Sequence, residues 1–262
     1  MRSNTILLAM VLCMCLLTIS SGALAQTYPA AMATIGDSIS RGALADDSLD
    51  DDQPERVWST GYAAGDACNS HLERIRVASP STAGYNNAWN GAQSDDLLAQ
   101  SNTTVSQGVQ YVTIQMGGND ICGDSTAEMT SVATWEFRWN EAIDVLQAGL
   151  PGADILVTGV VNVRRVYDVG RSNFGCLLKW NTLAFCKNML VNGSTQRTEA
   201  TNRLLAYNSS LTTLTAAQGV WYDADSYAIA FSRGQLSSID CFHPDISLNG
   251  NMADVTYSAS RF

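Results

Sequence analysis

The chain predicts an α/β protein, a three-layer α/β/α sandwich built on a five-stranded parallel sheet. Two observations carry that expectation. Short apolar runs alternate with longer amphipathic stretches, the pattern that buried parallel strands and their crossover helices produce. Three of those runs are followed closely by a polar or turn-forming residue, Ser38, Gly91 and Asn119. In open parallel sheets, ligands bind just beyond the carboxyl ends of the strands, so these residues mark one functional rim.

The first segment is of a different kind. Arg2, the apolar residues 6–17 and the triplet Ala23-Leu24-Ala25 read as a signal peptide over residues 1–25. Its apolar run is short for a membrane span, and no later run is long enough. Cleavage near Ala25 leaves residues 26–262 as a single domain and places it outside the cell or in the periplasm. Within that domain the expected strands are 30–35, 85–89, 111–116, 155–161 and 220–222. A helix is expected over 131–148, where Val132, Trp135, Trp139, Ile143 and Leu146 recur every three or four residues and Gly149 with Pro151 stops the run. Another is expected over 195–217, with Leu204, Tyr207, Leu211 and Leu214 on one face.

Composition narrows the partners. The formal net charge of −10 disfavours nucleic acid and anionic membrane surfaces. Cys68, Cys122, Cys176, Cys186 and Cys241 remain after the signal, so disulfides are expected with at least one thiol left over. Cys176 with Cys186 and Cys122 with Cys186 are both admissible pairs. None has the paired spacing of a zinc site. The acidic run from Asp46 to Asp52 lacks the glycine of a calcium loop and reads as a solvated loop. Asn102, Asn192 and Asn208 head glycosylation sequons.

The chemistry concentrates in two short segments. The apolar run 30–35 stops at Gly36-Asp37-Ser38, so a buried strand delivers a serine to the rim of the sheet. By itself Ser38 reads equally well as a helix N-cap. Near the other end stands Asp240-Cys241-Phe242-His243-Pro244, in which an Asp three residues before a His puts both side chains on one face of a helical turn. Together these supply a nucleophile, a base and an orienting carboxylate. The chain has two histidines. His71 falls on a polar helical face and reads as structural or solvated, which leaves His243 as the base. Gly91 can bring a backbone amide close to substrate, and Asn119 is a side-chain donor on the glycine-hinged turn Gly117-Gly118. No Gly-x-Ser-x-Gly elbow occurs, which excludes the α/β-hydrolase pattern.

In this order Gly36-Asp37-Ser38, Asn90-Gly91-Ala92, Gly117-Gly118-Asn119-Asp120 and Asp240-Cys241-Phe242-His243-Pro244 resemble the four blocks of the SGNH, or GDSL, hydrolases. Trp58-Ser59-Thr60-Gly61 and Asn69-Ser70-His71 look like a secreted bacterial branch of that family. The resemblance implies a flavodoxin-like sandwich, Ser38 as nucleophile, His243 as base and Asp240 as its partner. It implies an oxyanion hole made of the Ser38 and Gly91 amides and the Asn119 side chain. Cys241 and Asp245 depart from what many members carry around the histidine, which leaves the triad intact and alters the pocket or adds a disulfide there.

The expected function is therefore hydrolysis of carboxylic esters through an acyl-enzyme, with no metal or organic cofactor. An acyltransferase, a phospholipase or carbohydrate acetylesterase, and a non-catalytic lipid- or carbohydrate-binding protein are the alternatives on the same scaffold. The expected partner is a small-molecule, lipid or acylated-carbohydrate ester. An aromatic-rich insertion holding Tyr167, Phe174, Cys176, Trp180, Phe185 and Cys186 is expected to form either a stapled wall or lid over the acyl pocket or a packed helical cap that does not touch substrate.

Overall fold

The computed structural model describes residues 27–262, so the expected signal peptide lies outside the described residues. The first half of the chain runs β1 (Ala31–Gly36), α1 (Ser38–Arg41), α2 (His71–Ala78), β2 (Ala83–Asn86), α3 (Leu97–Gln107), β3 (Tyr111–Gln115) and α4 (Val132–Gly149). The second half runs β4 (Asp154–Thr158), α5 (Val163–Gly170), α6 (Phe174–Leu183), α7 (Lys187–Leu190), α8 (Ser194–Gln218), β5 (Trp221–Asp223) and α9 (Ile246–Ser258). The strands form one sheet in the order β2-β1-β3-β4-β5, with every neighbouring pair parallel.

Because successive strand residues point to opposite faces, the central strands feed two cores. Ala33, Ile35, Val112, Ile114, Ile155 and Val157 pack with residues of α3, α4 and α8 on one face. Met32, Tyr111 and Leu156 face the other way, onto Leu72 and Ile75 of α2, with Tyr257 of α9 beside them. Both faces being covered, the strands read as near-continuous apolar runs, as they do in parallel sheets.

Helix ends follow local chemistry. Ser131 caps α4 by accepting from the Thr134 amide, and Ser70 with Glu73 forms a capping box on α2. Helices α3 and α8 stop at Gly108 and Gly219, both in the left-handed conformation.

Three expectations need correction. The fourth strand ends at Thr158 rather than 161, where its ladder with β5 stops at Thr158↔Asp223. The second strand lies at Ala83–Asn86 rather than 85–89, because it pairs with β1 from Ala31↔Ala83 to Thr34↔Asn86. Past that ladder the amides of Asn87 and Trp89 still donate to the Thr34 and Gly36 carbonyls, so the chain follows β1 to the rim without regular strand geometry. His71 is structural, one of its two expected readings, but it is fully buried rather than on a polar face. Its Nδ1 and Nε2 each lie 2.8 Å from a hydroxyl, of Tyr111 and Thr256 respectively, tying α2 to β3 and α9. Burial pushes its pKa down to about 3, so it stays neutral.

The sequons are also engaged in structure. Asn208 Oδ1 accepts from the Val160 amide at 2.7 Å and its Nδ2 donates to the Val160 carbonyl, closing the end of β4 against α8. Asn102 and Asn192 likewise donate to the carbonyls of Leu98 and Asp124.

Candidate active site

Strand β1 ends at Gly36, and the strand end is gripped on both sides. Gln100 of α3 accepts from the Gly36 amide at 2.8 Å and donates to its carbonyl at 3.0 Å. A Cβ at Gly36 would come within 2.5 Å of the Gln115 carbonyl oxygen and 2.6 Å of Ser40 Oγ, so only glycine fits. Asp37 then caps α1, its carboxylate accepting from the Ile39 amide at 2.9 Å. Ser38 is therefore the first residue of a short helix on the carboxyl edge of the sheet.

His243 Nε2 lies 2.8 Å from Ser38 Oγ, and His243 Nδ1 lies 2.5 Å from Asp240 Oδ2. With Nδ1–H donating to Asp240, the neutral ring keeps Nε2 as the acceptor for the serine hydroxyl. Residues 240–243 form a turn rather than the helical turn expected from their spacing. Cys241 between them takes a left-handed φ of 57°, and Asp240 Oδ1 accepts from the amides of Phe242 and His243 at 2.8 and 3.2 Å.

The electrostatics follow from burial and these contacts. Burial alone would raise the Asp240 pKa. The hydrogen bond from His243, its charge and the two amides outweigh that and hold the carboxyl below the ordinary carboxylate value. Asp37 goes the other way. Burial pushes its pKa up to about 7, against the opposing pull of the Ile39 amide and His243.

The two remaining candidates sit on loops that are tied together. Gly91 is exposed with φ 76°, and no described residue accepts from its amide or from that of Ser38. Asn119 donates one Nδ2 hydrogen to the Ala92 carbonyl at 2.9 Å, which orients the amide group and leaves its second hydrogen available. Buried Asp120 accepts from the Ser94 amide at 3.0 Å and from its hydroxyl at 2.6 Å, and Arg138 of α4 donates to the same hydroxyl. Burial raises the Asp120 pKa despite these bonds.

Ser38, Gly91, Asn119, Asp240 and His243 all line one cavity of about 520 Å³. Two disulfides border it. Cys176 of α6 is bonded to Cys241 and Cys122 to Cys186, while Cys68 is a buried free thiol. Of the two pairs admissible from the sequence, Cys122–Cys186 forms and Cys176–Cys186 does not. Among the described residues no group of His, Cys, Asp and Glu is arranged to hold a metal ion. Gln100 was not legible in the sequence, since it reaches the site from a distant segment without a local motif, and of the Cys176–Cys241 bridge only the Cys241 end was anticipated.

A parallel α/β/α sandwich with a Ser–His–Asp chain at its carboxyl edge has the architecture of a serine hydrolase. The chain belongs to the GDSL-like lipase/acylhydrolase family, whose model matches residues 32–255. No curated protein matches it. Among solved structures it is similar to a catalytic mutant of an acetylxylan esterase from Geobacillus stearothermophilus, at 13% identity and TM-score 0.57, covering 88% of this chain and 94% of that one. It is also similar to an extracellular lipase from Streptomyces rimosus, at 17% identity and TM-score 0.54 over 88% and 99%. A phospholipase A1 from Streptomyces albidoflavus shares 16% identity at TM-score 0.50, again over 88% and 99%. At these identities the likeness is one of fold.

Proposed function

We propose that the protein is a secreted carboxylic-ester hydrolase acting through an acyl-enzyme on Ser38. The observation that carries this reading is the continuous hydrogen-bonded chain from Ser38 Oγ through His243 to Asp240. In the first half-reaction His243 Nε2 takes the hydroxyl proton as Ser38 Oγ attacks the ester carbonyl. The amides of Ser38 and Gly91 and the free hydrogen of Asn119 receive the oxyanion. His243 returns the proton to the departing alcohol, leaving the acyl group on Ser38. A water activated by the same nitrogen then releases the acid and restores the serine. Asp240 stabilises the imidazolium in both halves and holds the tautomer.

Export is supported by the signal-like residues 1–25 and by two disulfides, which persist in oxidising compartments. No helix of the described residues is long and apolar enough to cross a membrane. The shared sheet and the two cores built on it support one catalytic domain over residues 26–262.

Hydrolysis of p-nitrophenyl esters by the wild type and by Ser38→Ala tests the proposal. The variant is expected to lose roughly 10⁴-fold or more in kcat. Equal turnover by both proteins would remove Ser38 from the mechanism.

A further inference from the structure

The cavity around Ser38 is walled mostly by side chains that the hydrolytic steps leave unused. Leu44, Leu49, Leu183, Phe185, Ile239 and Phe242 enter it from three separate segments of the chain. Two of them stand open to solvent, Leu49 at 84% and Leu183 at 54% exposure. Apolar surface left in water beside a cavity of this size is relieved by an apolar ligand.

Leu183 ends α6, and Phe185 follows Ala184, whose left-handed φ of 53° turns the chain. This wall is fastened on both sides of the site. Cys176 joins α6 to Cys241, inside the segment that carries Asp240 and His243. Cys186 joins the next turn to Cys122, three residues beyond Asn119. Trp180 Nε1 also donates to the Cys241 carbonyl at 3.3 Å, and the Phe185 ring meets that of Phe242 edge-on at 5.0 Å. The wall is thus held in register with the base and with the Asn119 loop. No lysine or arginine lines the cavity among the described residues, and Asp51 stands at its edge. An acyl group bearing its own carboxylate would find no counter-charge there.

We infer that this wall receives the acyl chain, so that the substrates are esters of medium- to long-chain aliphatic acids and Leu183 and Leu49 determine chain-length preference. The inference rests on the ester-hydrolase reading and adds the class of acyl group to it. An octanoyl chain offers such a wall methylenes to bury that an acetyl group lacks. Each methylene buried there adds on the order of fourfold to kcat/KM.

The test uses two variants at exposed positions outside the hydrophobic cores, Leu183→Asp and Leu49→Asp. For p-nitrophenyl octanoate and acetate, kcat/KM is measured in each protein, and decanoate binding is measured by calorimetry in Ser38→Ala with and without Leu183→Asp. The expected results are a wild type that prefers octanoate, a fall of at least tenfold in the octanoate-to-acetate ratio in either variant, and at least tenfold weaker decanoate binding with Leu183→Asp. Ser38-dependent turnover that favours acetate, or a ratio unchanged by both substitutions, overturns the acyl wall and leaves the hydrolase standing. Decanoate binding that depends on Leu183, in a protein with no Ser38-dependent turnover, keeps the apolar cleft and removes the hydrolase instead.

Discussion

Asp240 and Asp37 flank the same pair of reacting groups, yet their surroundings push them in opposite directions. Asp240 is held ionised by His243 and two amides. Asp240→Asn keeps the shape but removes the charge and the acceptor that fixes the imidazole tautomer. The expected result is a fall in kcat of about 10⁴ with KM little changed, and a KM effect alone would refute the assignment. Removing the Asn119 donor with Asn119→Ala should cost about 10²–10³ in kcat. Asp37 instead carries a stability signature. Its pKa rises from 3.8 when exposed to about 7 in the folded protein. Between those values the unfolded chain releases the proton while the folded one retains it, so rising pH removes stability across that window and no further above it. Asp37→Asn keeps a good cap and cannot ionise. The Tm of this variant relative to wild type should therefore climb from pH 4 to pH 7.5, and a constant difference would contradict the burial argument. At this scale the sequence was informative where a motif is local. Ser38 ends an apolar run, Asp240 stands three residues from His243, and only two histidines compete. Gln100 was invisible because its two bonds to Gly36 cross 64 positions of chain.

The elements that bracket the site are α6 and the turn before α7, and their role comes from covalent attachment as well as packing. Helices α4 and α8 were readable because apolar residues recur on one face over many turns, and the structure moves their ends by one residue. Strand β2 was misplaced because Ala83-Gly84-Tyr85-Asn86 has no apolar alternation and lies at the edge of the sheet. The disulfides were legible only in part: Cys122–Cys186 was one of two admissible pairs and a bridge at Cys241 was allowed, but partners 64 and 65 positions apart carry no local sign of which pairing forms. Cys176 and Cys186 are close in sequence but serve different loops. Cys241 sits in a left-handed conformation between Asp240 and His243, a shape maintained by its bond to Cys176, the Trp180 hydrogen bond and the packing of Phe242. Replacing both Cys176 and Cys241 by Ala should lower unfolding stability by about 2–4 kcal/mol. It should also reduce kcat by more than it changes KM, because the base and its partner lose their fixed spacing. Reduced stability in urea with kcat intact would show that the bridge serves folding alone.

The whole molecule is organised by three central strands that belong to two cores at once. In β1, Met32 faces the α2 and α9 side while Ala33 and Ile35 face α3, α4 and α8. In β3, Tyr111 and Val112 divide in the same way, as do Leu156 and its neighbours Ile155 and Val157 in β4. Neither layer of helices can separate without exposing one full side of those strands. His71 strengthens the link by joining α2, β3 and α9 through two buried hydrogen bonds. The layered class was legible because this double burial writes continuous apolar runs into the sequence. The division of each strand between cores was not, because both faces demand apolar residues. A molecule built this way should unfold as one unit. Far-ultraviolet circular dichroism reports helices in both layers, whereas tryptophan fluorescence is weighted to one side by Trp135, Trp139 and Trp180, all in the larger core. With the disulfides intact, the two signals should give coincident transitions in urea, with the same midpoint and slope. Loss of the helical signal before the fluorescence change would show that the layer of α2 and α9 melts separately, and that the shared strands do not couple the two faces.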